Sequence, residues 1–90
     1  MIVRFFATFR KITRGVKERS DLQAEDLQEL LNILSRQYGR EFQDRLFDGD
    51  DLSSEVIILV NGTHVSHLQG LNTPLQQGDV VAVFPRVMGG

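Results

Sequence analysis

The apolar run from Val56 to Val60, which Asn61-Gly62 follows directly, constrains the fold more than any other stretch of the sequence. Five consecutive apolar residues suit a short strand that is covered on both of its faces. Asn-Gly favours a type I′ hairpin turn, because both central residues of that turn must take a positive φ. The residues that follow, THVSHL, are therefore predicted to return as a second, shorter strand of the same sheet.

Two further parts of the sequence, one near each end, also predict strands. The segment IVRFFATFRK alternates, so that one face collects Val3, Phe5, Ala7 and Phe9 and the other face collects Arg4, Phe6, Thr8 and Arg10. Gly15 in KITRGV predicts a hairpin connection to a weaker strand within VKERSDLQA. VVAVF predicts the last strand, and Pro85 is expected to end it because proline cannot donate to a ladder.

Between these strands, AEDLQELLNILSRQYG predicts an amphipathic helix. Its apolar residues recur at the spacing of one helix face: Leu27, Leu30, Leu31, Leu34 and Tyr38. Asp26 can cap this helix with Glu29 at capping-box spacing, and Gly39 stands where a helix stop belongs. REFQDRLFDGDD predicts a short second helix or turn. One main helix packed on one mixed sheet is an α+β two-layer domain.

Composition limits the class of protein further. The chain has 90 residues, a formal net charge of −2 and no cysteine. A single domain is expected at this length, and the lack of cysteine excludes disulfides, thiolate metal sites and a cysteine nucleophile. There is no basic excess to favour nucleic acid, and no apolar run approaches the ~18 residues of a membrane span. We therefore expect a cytoplasmic protein that binds neither nucleic acid nor membranes.

The sequence closes on FPRVMGG, where nothing predicts a turn or a helix after the proline. We expect a folded domain at residues 1–84 and a flexible tail at residues 85–90. Glycine has no side chain to clash, so a carboxylate at the end of Gly-Gly can thread into a narrow site of a partner protein. An ordinary frayed terminus is the alternative interpretation of the same two residues.

Several motifs together resemble the MoaD/ThiS family of sulfur-carrier proteins. VNG and GLNTPLQQGDVVAVFPRVMGG are similar to the closing half of that family, and VRFFATFRKITRG and LQELLNIL extend the resemblance over nearly the whole chain. The most specific part is L-x-x-GD-x-V-x-x-FP combined with terminal Gly-Gly. The resemblance implies a ubiquitin-like β-grasp fold with a mixed four- to five-stranded sheet packed on one main helix. Within the family, the chain looks most like the small subunit of molybdopterin synthase.

The resemblance also implies a chemistry for the tail. Gly90 would be adenylated by an E1-like enzyme and converted to a thiocarboxylate that donates sulfur to molybdopterin, and Gly89 would let it enter the narrow site. The implied partners are an E1-like adenylating enzyme (MoaB-, ThiF- or MoeB-like) and a MoaE-like large subunit of molybdopterin synthase, which would hold the catalytic groups. ATP would be used by the activating enzyme, with no cofactor bound permanently here. The chain would then be a carrier, not an enzyme.

An apolar partner surface is expected beside the tail. Phe6 and Phe84 both lie on the outward parity of their strands, and the β-grasp fold would place them side by side on parallel strands. They predict a docking patch, although scattered surface aromatics are the plainer interpretation. His64 is expected at the edge of this patch, where the family often has an apolar residue. Further partner-binding residues implied for the tail are Pro85, Arg86, Val87 and Met88.

Two other motifs are better explained without a site. His64 and His67 form H-x-x-H, but residues three apart on a strand face opposite ways, so joint metal binding would need a turn between them. The DGDD sequence at Asp48 to Asp51 lacks the spacing and the distal glutamate of a calcium loop. A solvated loop is the better interpretation.

Three functions fit these observations. The first is a sulfur carrier that serves as the small subunit of molybdopterin synthase. The second is a ubiquitin-like modifier, in which the activated Gly90 is attacked by a substrate lysine. The third is a β-grasp interaction module whose diglycine is incidental. The first two share one activation chemistry and differ only in the nucleophile, which the sequence does not encode.

Overall fold

The computed structural model describes residues 1–86, and the four residues from Val87 to Gly90 lie outside the described part. Within that part, five strands form one mixed sheet in the order β2-β1-β7-β5-β6. They are β1 (Ile2–Phe5), β2 (Glu18–Arg19), β5 (Val56–Val60), β6 (Thr63–His64) and β7 (Val80–Pro85). Strands β1 and β7 are parallel, and the other neighbours are antiparallel. The predicted β-grasp sheet is confirmed.

Helices cover one face of this sheet. They are α1 (Phe9–Ile12), α2 (Leu27–Tyr38) and α3 (Arg40–Leu46), and a small hairpin of β3 (Phe47–Asp48) and β4 (Asp51–Leu52) follows them. The four leucines predicted for the helix face are fully buried, as are Phe5, Val81 and Val83 of the sheet opposite them. No helix within residues 1–86 has the length and apolarity that crossing a membrane requires.

The main helix begins and ends where its sequence predicts. The Asp26 side chain accepts a hydrogen bond of 2.8 Å from the backbone N–H of Glu29, which satisfies one of the free donors of the first turn. At the other end Gly39 has φ 96° and ψ −170°, a conformation that is open essentially to glycine alone. The predicted second helix starts directly after it at Arg40.

The first strand is shorter than its alternation predicts. It ends at Phe5, Ala7 takes φ 52°, and Phe9 opens α1 instead of continuing the strand. Phe9 is nevertheless buried, because the helical turn directs its ring against Phe42 at 5.7 Å between centroids. The predicted hairpin connection at Gly15 therefore contains a helical turn, and Gly15 closes it with φ 89°.

The central hairpin is confirmed, with one correction. Asn61 and Gly62 have φ of 52° and 85°, as a type I′ turn requires. In β5, however, Val56, Ile58 and Val60 are buried while Ile57 and Leu59 are only partly buried. The expectation that both faces of this strand are covered is wrong, because the helices lie on one side of the sheet. The returning strand also ends early, at His64, where a 3-10 turn begins.

A hydrogen-bonded clamp sets the register of β7. The Asn61 amide donates to Asp79 Oδ1 over 2.9 Å and accepts from the backbone N–H of Val80 over 2.9 Å. The second carboxylate oxygen, Asp79 Oδ2, accepts from the backbone N–H of Gln76 over 2.8 Å. The Gly-Asp pair of the closing motif thus ties the start of β7 to the hairpin turn.

Candidate docking face beside the last strand

The parallel pairing of β1 with β7 brings the two predicted aromatic residues together. The rings of Phe6 and Phe84 stack with their centroids 4.3 Å apart and their planes 8° from parallel. Phe6 stands just beyond β1, and its backbone N–H donates to Val83 O over 3.1 Å. Both rings are partly buried, on the side of the sheet away from the helices. Stacked aromatic pairs of this kind form rigid apolar surfaces.

Arg10 extends this pair on the side of β1. Its guanidinium carbon lies 5.4 Å from the centre of the Phe6 ring, within the range of a cation–π contact. Its Nε donates to Phe5 O over 2.9 Å, which holds the side chain in place. Sequence reasoning missed this residue because it assigned Arg10 to a strand. A helical turn after Phe6 is what brings the cation back over the ring.

Strand β5 extends the pair on the other side. Ile57 lies opposite Phe84 in the antiparallel register, and Leu59 lies opposite Ala82. We call five of the partly buried residues on this side of the sheet, those around the stacked pair, the outward face: Phe6, Ile57, Leu59, Ala82 and Phe84. A sheet face that is apolar but uncovered by the chain's own helices suits contact with another protein. The sequence signal for Ile57 and Leu59 was present in the apolar run, but it was assigned to the core.

His64 borders the outward face through Leu59, its cross-strand partner. Its Nδ1 accepts a hydrogen bond of 3.0 Å from the backbone N–H of Ser66, which fixes the ring at the start of the 3-10 turn. That turn brings the rings of His64 and His67 to 6.3 Å between centroids. Among residues 1–86, however, no three His, Cys, Asp or Glu residues are grouped so that they could hold a metal ion.

The residues at the base of the tail lie on the sheet. Pro85 pairs with Val56 as the last residue of β7, and Arg86 continues the pairing by donating its N–H to Glu55 O over 2.8 Å. The Arg86 guanidinium also reaches Ser54 O at 3.3 Å. Arg86, Ile57 and His64 line one groove of about 450 Å³. The remaining predicted tail residues, Val87, Met88, Gly89 and Gly90, lie outside the described residues.

Proline at position 85 fits the strand for a definite reason. The backbone of β7 turns alternately towards β1 and β5, and Val83 O is turned towards β1, where it accepts from Phe6. Position 85 therefore faces β1 as well. Its acceptor there would be Phe6 O, which already accepts from the N–H of Phe9 over 3.1 Å. The missing N–H of Pro85 consequently leaves no acceptor unpaired.

The carboxyl groups with shifted pKa values lie away from the outward face. The Asn61 amide, and after it the backbone N–H of Gln76, lowers the pKa of Asp79. At the far edge of the sheet, a hydrogen bond from Arg19 lowers the pKa of Asp21 to about 2. The bonds to Asp79 tie the start of β7 to the hairpin turn, whereas the Arg19–Asp21 bond is a local surface contact. The five residues of the outward face carry no titratable side chain, so these shifted carboxyl groups belong to other parts of the described fold.

Comparison with known proteins gives a consistent family. The sequence profile of the ThiS family matches residues 3–90. "Small archaeal modifier protein 3" of Haloferax volcanii is 38% identical over 90 residues, which cover 98% of this chain and 96% of that protein. A "Putative sulfur carrier protein" of Archaeoglobus fulgidus is 35% identical over 72 residues, which cover 78% of this chain and 82% of the relative.

Solved structures agree with this assignment. The solution structure of small archaeal modifier protein 1 from Methanosarcina acetivorans superposes with a TM-score of 0.85 at 30% identity, covering 99% of this chain and 94% of that one. "Putative molybdopterin converting factor, subunit 1" from Pyrococcus furiosus superposes with a TM-score of 0.70 at 30% identity, covering 96% and 95%.

Proposed function

The chain belongs to the ThiS family of ubiquitin-like carriers and modifiers, and we propose that its Gly90 carboxylate is the group that is activated and transferred. One observation supports this most strongly. In the outward face, the stacked rings of Phe6 and Phe84 lie near the end of β7, and Gly90 follows Phe84 by six residues in the sequence. A partner that contacts these rings would therefore bind within a few residues of the Gly90 carboxylate along the chain.

The activation chemistry explains the bare diglycine. A carboxylate is a poor electrophile, so an E1-like enzyme first joins the Gly90 carboxylate to the α-phosphate of ATP and releases pyrophosphate. Hydrosulfide from the sulfur donor then attacks the acyl-adenylate carbonyl, a C–S bond forms, and AMP and a proton leave, which yields the thiocarboxylate. This chain supplies the reacting group and the docking face. The ATP site and the catalytic groups belong to the enzyme.

We propose that the sulfur is delivered to molybdopterin biosynthesis, with this chain as the small subunit of a synthase. The resemblance of the closing motif and the 30% identity to a molybdopterin converting factor subunit support this destination. The MoaE-like large subunit would dock on the outward face, as would the E1-like enzyme before it. The cytoplasm, where these partners work, is the location we predict.

A second candidate function is protein modification. It is favoured by the 38% identity to small archaeal modifier protein 3, which extends over nearly the whole of both chains. In this case a substrate lysine, not sulfur, attacks the acyl-adenylate and forms an isopeptide bond with Gly90. Both functions use the same tail and the same docking face.

Intact mass spectrometry separates these functions. The chain is incubated with ATP, an E1-like enzyme and a sulfur donor, and exchange of one oxygen for sulfur at Gly90 supports the carrier. Larger conjugates that leave a Gly-Gly remnant on lysine support the modifier. The control lacks Gly89 and Gly90, and its fold should be unchanged. If that truncated chain still sustained cofactor synthesis in cells, the carrier function would be refuted, and if it still formed conjugates on lysine, the modifier function would be refuted.

The docking role of the outward face has its own test. Removing the ring in Phe84→Ala is expected to weaken binding to the E1-like enzyme by about tenfold or more, because buried aromatic anchors contribute ~2 kcal/mol or more at interfaces. Leu68→Ala is the matched control, since Leu68 is 43% exposed and does not belong to the outward face. A loss of folding stability without a loss of affinity would show that the ring is structural only.

A further inference from the structure

Charge is distributed very unevenly along the chain. Residues 1–19 contain six of the ten basic residues but only one of the twelve acidic residues, Glu18. The remainder of the chain therefore carries four basic and eleven acidic residues. The modest overall charge of −2 conceals a positive first segment attached to a negative body. Such a separation produces a directional electric field around the molecule.

Four of the six early cations have no carboxylate near them. Arg4 pairs with Glu18 over 2.9 Å, and Arg19 pairs with Asp21 over 2.7 Å. Within residues 1–86, no carboxylate oxygen lies within 4.0 Å of the charged groups of the other four. We call these four residues the basic corner: Arg10, Lys11, Arg14 and Lys17. Lys11, Arg14 and Lys17 are exposed, so their charges face solvent.

The backbone gathers the basic corner at one end of the sheet. Gly15 N donates to Arg10 O, and Phe5 N donates to Lys17 O over 2.9 Å, so the turn folds back on the end of β1. Because β1 and β7 are parallel, this is also the end at which β7 finishes. Arg10 joins the corner to the outward face through its contact with the Phe6 ring. The cations therefore flank the place from which the last residues continue.

We propose that the basic corner is a second docking element, which binds an acidic surface on the E1-like enzyme that activates the tail. This inference rests on the proposed function. An acidic patch on the enzyme attracts the corner, whereas the negative body of the chain is repelled, so the encounter is oriented before contact. Complementary charge acts mainly on the rate of association. The outward face then supplies the apolar contact.

The arrangement favours a protein partner over nucleic acid. The corner offers four cations, fewer than the roughly 6–10 phosphate contacts of a protein whose affinity for nucleic acid depends strongly on salt. The rest of the chain, with its acidic excess, would repel a phosphate backbone. The corner is also continuous with a rigid apolar surface, which suits the mixed chemistry of a protein interface.

Charge reversal tests the proposal. In the double variant Lys11→Glu/Arg14→Glu, two exposed cations of the corner become anions, and Arg36→Glu/Arg40→Glu makes the same change of net charge on the exposed side of the helices. Stopped-flow association with the E1-like enzyme of the same organism, followed by single-turnover adenylation, is measured for both. The corner variant is expected to associate about tenfold or more slowly, and the control to stay within about twofold of the wild type.

Ionic strength provides the second measurement. The defect of the corner variant should shrink as salt rises from 0.1 M to 1 M, because the Debye length falls from about 10 Å to about 3 Å. Equal rates for the corner variant and the control would overturn the inference. RNA binding, measured by fluorescence anisotropy, is a second outcome that would overturn it. In that outcome the wild type binds RNA, the corner variant does not, and both are adenylated at the same rate. Circular dichroism checks that both variants fold.

Failure of the inference can be distinguished from failure of the proposed function. If the wild-type chain forms no adenylate at any salt concentration, the proposed function fails, and the inference fails with it. If the wild type is adenylated and the corner variant reacts at the same rate, only the inference fails. The charge-conserving double variant Lys11→Arg/Arg14→Lys should associate at the wild-type rate if charge is the property that matters.

Discussion

Asp79→Ala perturbs the clamp between β7 and the hairpin turn without touching the outward face. The carboxylate accepts two hydrogen bonds, from Asn61 Nδ2 over 2.9 Å and from the backbone N–H of Gln76 over 2.8 Å. Hydrogen bonds to a charged acceptor contribute about 1.5–3 kcal/mol each, and solvent at this partly exposed site reduces that to roughly 0.5–1 kcal/mol. We therefore expect the free energy of unfolding at pH 7 to fall by about 1–2 kcal/mol.

The effect of Asp79→Ala depends on pH in a defined direction. The hydrogen bonds to Asp79 lower its pKa in the folded state, so the carboxylate stabilises the fold above its unfolded pKa of about 3.9. That contribution is lost as the pH falls through the lowered folded value. The difference in stability between the wild type and Asp79→Ala should therefore be complete at pH 7 and shrink below about pH 4.

Thermal unfolding followed by circular dichroism measures both effects. In a domain of this size, a loss of 1–2 kcal/mol lowers Tm by roughly 4–16 °C. Asp50→Ala is the matched control, because Asp50 is an exposed loop carboxylate outside the clamp, and its Tm should barely change. The reasoning is refuted if Asp79→Ala unfolds within about 2 °C of the wild type at pH 7. If the stability difference between the wild type and Asp79→Ala stayed constant from pH 7 to pH 3, only the argument from the charge of Asp79 would be refuted.

Three further predictions concern the helix ends and the sheet edge. Asp26→Ala removes the cap of α2 and should lower the free energy of unfolding, measured with urea, by ~1 kcal/mol. Glu25→Ala is the control and should change that free energy little. Gly39→Ala should lower the free energy of unfolding by about 1–3 kcal/mol. Backbone strain is the cause, since a Cβ at position 39 would meet no atom within 4 Å. An unchanged midpoint of urea unfolding would contradict this. In an NMR titration the pKa of Asp21 should be about 2, and Arg19→Ala should raise it towards about 3.9; a value that does not move would exclude Arg19 as the cause.

The sequence predicted correctly those helices and turns whose residues are compatible with only one local conformation. The leucine spacing and the cap at Asp26 fix α2, and Asn61-Gly62 fixes the turn, because few conformations satisfy those residues. Phe9 shows why β1 was predicted too long. An alternating strand and a strand followed by one helical turn both bury Phe9, so hydrophobic periodicity alone cannot distinguish them.

The candidate site was predicted in part for a similar reason. Phe6 stood out because it interrupts the polar positions of the first alternating segment, and the parallel pairing of β1 and β7 stacks it on Phe84 as expected. Ile57 and Leu59 did not stand out, because an apolar run has the same appearance whether its second face meets a helix or a partner. Arg10 could be placed only after the helical turn was known, since its contact with Phe6 depends on that turn.

The central position of β7 has a consequence for the synthesis of the protein. This strand, the last in the described structure, lies between β1 and β5, and Ile2 pairs with Val80 across most of the chain's length. Contacts so distant in sequence form late, and during translation β7 leaves the ribosome after the rest of the domain. The outward face cannot assemble before then, since Ala82 and Phe84 are part of it. A nascent chain that has not reached β7 consequently lacks the outward face, and under the proposed function it would not be a substrate for activation.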